Sequence, residues 1–203
     1  ESEVETLEAE QAAAEGDTDT ALAKLEDALA RDPGNDEARY DLIKLLLAHG
    51  GLEGAKHVFL PIAGRATGPV PEARVVAFSR YIAAVQAAQQ ARSPQVLNEA
   101  ISANKRDFAA RFELAQLFFA AGEFTAAMDE LLEIIMRDKA WNDEIARKTY
   151  IAILEVMTKP QPKPLPKAAA EAKPALEIAG KQAVTSADPV IDQYRRKLSM
   201  ALF

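Results

Sequence analysis

The chain has 203 residues, 49% hydrophobic and 27% charged, with a net charge of −7, two histidines and no cysteine. Without cysteine it holds no disulfide, thiolate metal site or thiol redox chemistry, and no run of 18 uncharged apolar residues is present to span a bilayer. Residues 1–158 carry 16 Lys and Arg against 27 Asp and Glu, whereas residues 159–203 carry 8 against 4, and an acidic body argues against nucleic acid, whose phosphates need clustered cations.

Helices are predicted near 3–15 and 18–31, then 36–49 and 52–62, as two hairpins. Gly16, Ala21, Leu25 and Ala28 recur at a spacing of 34 as Gly50, Ala55, Phe59 and Ile62, and a third copy, displaced by four extra residues, reads Gly122, Ala127, Leu131 and Ile134. A fixed period of this size marks a helical repeat array. In each copy the glycine closes the first helix in a left-handed conformation. The alanine five residues on lets the two helices cross closely, and the next two positions put one apolar stripe of the second helix against the first. Asp32-Pro33-Gly34-Asn35 stops the second helix and starts the next unit. Residues 63–69 break the array.

A long helix near 72–92 then runs to Ser93-Pro94, which reads as an N-cap followed by proline at the first helical position of a short helix near 94–104. The fourth hairpin is predicted at 108–121 and 124–137, and Trp141-Asn142-Asp143 leads into one more helix near 143–157. From Thr158 four alternating prolines favour extended polyproline II. Residues 167–187 have little to bury, and their lysines, diluted among Pro and Ala, read as a solvated linker and not as a nucleic-acid or membrane patch. Asp188-Pro189 starts a last helix with Val190, Tyr194, Leu198 and Leu202 on one face. The expected organisation is a helical array over 1–157, a Pro/Ala/Lys-rich linker over 158–187 and an amphipathic helix over 188–203 that caps the array or docks on a partner. The start at Glu1 and not at Met is expected of a piece of a longer protein.

Catalytic patterns are lacking, and the expectation is a non-enzyme without metal or cofactor. His49 and His57 flank a hairpin turn with no facing ligand set. Asp129, Glu130 and Glu133 have the spacing of the wet face of an amphipathic helix, and Gly50-Gly51 and Gly64 lack the context of a phosphate loop. Ser79, Ser93, Ser102 and Ser186 sit in no nucleophile motif.

The unit from Phe108 to Asp138 resembles the tetratricopeptide pattern. That resemblance implies an all-α, right-handed superhelix of about four hairpins, with a groove lined by Glu37, Tyr40, Lys44 and Leu47 in the second unit and Ala109, Phe112, Gln116 and Phe119 in the fourth. A clamp for acidic chaperone tails is not expected, because Asp41 and Glu113 stand where it needs cations. Tyr40, Leu47, Phe112 and Phe119 suit extended apolar segments of poorly folded chains if they are exposed. The same residues equally suit packing against adjacent repeats.

A closer resemblance lies in Leu131-Leu-Glu-Ile-Ile-Met-Arg-Asp-Lys-Ala-Trp-Asn-Asp-Glu-Ile-Ala-Arg-Lys148 together with Asp188-Pro189, Tyr194-Arg-Arg-Lys-Leu198 and Leu202-Phe203. These runs are similar to the C-terminal half of the bacterial thioredoxin-like co-chaperones called YbbN or CnoX. The resemblance implies a cytoplasmic module that holds unfolding client proteins and docks on a GroEL-type chaperonin for handover, without nucleic acid or membrane as partner. It assigns chaperonin contact to Tyr194, Leu198, Leu202 and Phe203, with Trp141 as a structural anchor. The family's thioredoxin fold is not in this sequence, and the Pro- and Lys-rich stretch replaces the family's short turn. The alternative is a general repeat scaffold that assembles a protein complex, including one of the cell envelope.

Overall fold

Three glycines set the geometry of the array. Gly16, Gly50 and Gly122 have φ of 82°, 78° and 77°, a left-handed conformation that side chains with a β-carbon adopt only at a cost. At each, the next residue donates its backbone N–H five residues back: Asp17 to Ala12 O (2.9 Å), Gly51 to Leu46 O (2.8 Å) and Glu123 to Phe118 O (2.9 Å). These bonds satisfy carbonyls that the helix end leaves free, and the chain reverses within three residues.

The computed structural model describes residues 2–159 and 188–203. It contains α1 (Ser2–Ala14), α2 (Thr18–Arg31), α3 (Asp36–Ala48), α4 (Leu52–Phe59) running into a 3-10 turn (Leu60–Ala66), α5 (Ala73–Ala88), α6 (Pro94–Ala103), α7 (Phe108–Ala120), α8 (Phe124–Arg137), α9 (Trp141–Met157) and α10 (Pro189–Leu202). No strand occurs among the described residues, and none of their helices is long and apolar enough to cross a membrane. Ala21, Ala55 and Ala127 are fully buried at the helix crossings, with Leu25, Phe59 and Leu131 behind them. Side chains of Asp17, Asn35, Ser93, Asp107 and Asp188 accept backbone N–H bonds at the starts of α2, α3, α6, α7 and α10, each contributing about 1 kcal/mol.

Two departures from the predicted elements have local causes. The helix expected over 52–62 ends at Phe59 and tightens into the 3-10 turn because Pro61 has no N–H to continue the ladder. More consequentially, Asn142, Asp143 and Glu144 are all left-handed, with φ of 47°, 55° and 56°. This turn costs on the order of 1–2 kcal/mol per residue, least at Asn and Asp. Beyond this turn α9 packs along α5 and α8.

The last helix lies against α8 and α9. Ile191 and Tyr194 are buried, Leu198, Ala201 and Leu202 pack against the same core, and Val190 points outward. The buried face is therefore turned from the predicted one, with Ile191 in the place expected for Val190. Tyr150 donates its hydroxyl to Tyr194 O (2.7 Å), Tyr194 donates its own to Asp129 Oδ2 (3.0 Å), and Lys197 Nζ lies 3.0 Å from Asp129 Oδ1 and 4.1 Å from the Tyr194 ring centre. The polyproline expectation and most of the linker fall on residues outside the described ones. Deleting residues 188–203 is expected to expose Tyr150 and the apolar surface that Ile191, Tyr194 and Leu198 cover, costing about 2–3 kcal/mol and lowering the thermal midpoint by roughly 4–12 °C, measurable by circular dichroism.

Candidate protein-binding surfaces

The groove residues expected from the sequence divide sharply. Tyr40, Leu47 and Phe119 are buried in the main core, and Phe112 is half-buried against it. Tyr40 stacks on Phe78 of α5 at 4.4 Å between ring centres, Phe119 stacks on Tyr81 of α5 at 4.8 Å, and Phe112 leans on Trp141 at 5.8 Å. An open aromatic groove at Tyr40, Leu47 and Phe119 is thus corrected by the structure, because the same rings that suit a client close the contacts between successive hairpins. Asp41 and Glu113 are paired with Lys44 (3.3 Å) and Arg92 (2.7 Å).

Helix α9 lies along α5 and α8 and reaches α7 at its start. Its start packs Trp141 between Phe108 and Phe112 of α7. Its end is held by Arg74 of α5, whose Nη1 donates to Thr158 O at 3.1 Å. The same guanidinium lies 3.4 Å from a Glu37 carboxylate oxygen of α3 and 4.9 Å over the Tyr40 ring. Burial raises the Glu37 pKa, with Arg74 opposing the shift. Neither Arg74 nor its role was legible in the repeat pattern, which places no cation at this crossing.

All four tyrosines are held neutral above their ordinary range by burial first, and Tyr40, with Asp36 as the next cause, is pushed up to about 12. An unfolded phenol ionises near pH 10, so above that value the unfolded state loses protons before the folded state and stability falls as pH rises.

The tail presents a different surface. Of the residues assigned to chaperonin contact, Tyr194 is buried, Leu198 and Leu202 are half-buried, and Phe203 is fully exposed. Phe203 stands with Met200 and Met136 on an open cleft of about 940 Å³ between α8 and α10, rimmed by Lys139, Glu133 and Arg111. Lys139 Nζ donates to Leu202 O at 2.5 Å and ties the end of α10 to the loop after α8. Met200 and Met136 are exposed and were missed in the sequence because each falls off the apolar stripe of its helix. His49 Nδ1 donates to Leu45 O (2.9 Å), His57 is exposed, and no metal-holding cluster occurs among the described residues.

Two outcomes follow for the buried rings. Phe119→Ala is expected to cost about 3–5 kcal/mol and to lower the thermal midpoint markedly, read by circular dichroism. The denaturation midpoint of the unmodified chain is expected to fall as pH rises from about 10 to 12, and Tyr40→Phe to flatten that fall in part, read by urea titration at each pH.

Two families described as tetratricopeptide repeat match the sequence, one over residues 12–74 and the other over 86–164. No curated protein matches the chain. The matched stretches take in the three glycine turns at Gly16, Gly50 and Gly122, and the interval between them falls within α5. The hairpin geometry, the buried alanine crossings and these matches agree that the chain carries a tetratricopeptide repeat region, a protein-binding helical array.

Proposed function

We propose that the array is the client- and chaperonin-binding module of a cytoplasmic thioredoxin-like co-chaperone of the YbbN/CnoX type. The observation that carries this reading is the end of α10. The helix is anchored through Ile191 and Tyr194, yet its last residues hold Met200 and Phe203 out in water beside Met136. Exposed large apolar side chains grouped at one edge mark a contact surface, and methionine suits a partner whose shape varies. The division of labour within the helix also supports the resemblance of residues 131–148 and 188–203: Tyr194 and Leu198 hold the helix on the array, and Phe203 is the docking tip. Phe112, the one half-buried member of the expected groove, is the remaining candidate for client contact.

Phe203→Ala is expected to abolish co-elution with a GroEL-type chaperonin while leaving the thermal midpoint unchanged, since the ring packs on nothing in the array. Retained chaperonin binding in Phe203→Ala, and in Met200→Ser alongside it, would sink the assignment of this edge as the docking site. Binding lost together with folding is not expected from either exposed position.

A further inference from the structure

Sulfur is scarce in this chain. With no cysteine, four methionines hold all of it, so a mild two-electron oxidant finds its fastest targets in their thioethers. The fold sorts the four sharply. Met128 is fully buried and Met157 packs against the main core, whereas Met136 is 55% and Met200 76% exposed. Met136 lies near the end of α8 and Met200 near the end of α10. Far apart in sequence, they line the same cleft, the one that Phe203 overhangs. Both exposed sulfurs therefore stand on the edge that carries the tip of the last helix.

Oxidation at either position changes the character of this edge. A lone pair on sulfur takes one oxygen atom from hydrogen peroxide, the O–O bond breaks and water leaves, so the thioether is oxidised by two electrons and the peroxide reduced. The sulfoxide is polar and holds water through its oxygen. The cations of the cleft are already engaged, Lys197 with Asp129, Arg111 with Glu130 and Lys139 with Leu202 O. A partner that covers the oxidised edge must strip that water with no new hydrogen bond from the array in return.

Resting on the reading of α10 as the docking helix, we infer that Met136 and Met200 form a reversible oxidation site that turns the docking edge from apolar to polar and releases the partner. Neither side chain packs on the core, so the modification leaves the array folded. Methionine sulfoxide reductases restore the thioethers, one enzyme for each sulfoxide epimer.

Peroxide treatment of the full chain followed by peptide mass spectrometry reads the site. One added oxygen is expected at Met136 and at Met200 about tenfold or more faster than at Met128, with circular dichroism unchanged. On a hydrophobic-interaction column the oxidised chain is expected to elute earlier, and the two reductases together to return it to its starting position. Affinity for a GroEL-type chaperonin is expected to fall about tenfold or more on oxidation. In a chain with both Met136→Leu and Met200→Leu, peroxide is expected to change neither retention nor affinity from that chain's own untreated values. Equal oxidation of all four methionines would overturn the inference, as would unaltered retention of the oxidised chain or an equal loss of affinity in the leucine chain. An untreated chain that fails to bind the chaperonin sinks the docking reading and the release with it, whereas one that binds equally before and after oxidation sinks this inference alone.

Discussion

Burial of α9 is the constraint on which the rest of the molecule depends. The hairpins before it could stack indefinitely, each leaving an apolar face for the next. Three left-handed residues end that repetition and lay α9 along α5 and α8. Tyr150 and Ile153 then enter the core fully, and the Tyr150 hydroxyl creates the seat for α10. At the other end of α9, Arg74 couples its terminal carbonyl to α3 through Glu37 and Tyr40. An unfavourable backbone turn is thus offset by a helix that closes the array at both of its ends.

The period of the sequence carried the hairpins because it reports local requirements: a left-handed glycine, a small residue at a crossing, a capping oxygen. Gly122, Ala127 and Asp107 each do what their position demands. The path of α9 was not legible, since Asn142, Asp143 and Glu144 are ordinary residues for a helix start and only tertiary packing makes them left-handed. The binding residues were partly legible for the same reason. Tyr40 and Phe119 occupy groove positions in the repeat, but their fate depends on whether an aromatic ring stands opposite on α5, and Phe78 and Tyr81 do. Phe203 was legible as the tip of an amphipathic helix. Its companion Met136 was not, because its contribution comes from the three-dimensional adjacency of α8 and α10.

The two open clefts of the array are both of mixed charge. Around Phe203 acidic and basic side chains alternate, with Lys139, Lys197 and Arg111 facing Asp129, Glu130 and Glu133. Around the cleft between α1 and α3 the signs are mixed as well, with Glu10 and Asp41 against Lys44 and Lys159. A surface of mixed sign selects chiefly by shape and apolar contact, whereas one of a single sign acts at a distance and is screened by salt.

The contact between Arg195 and Thr158 Oγ1, at 3.4 Å, brings the two ends of the 160–187 stretch toward one another. Asp188 lies two turns before Arg195, roughly 10 Å along the helix, so the intervening residues join two points that the folded array already holds close. The seating of α10 is accordingly set by contacts among the described residues themselves, from Thr158 and Tyr150 on α9 to Asp129 on α8.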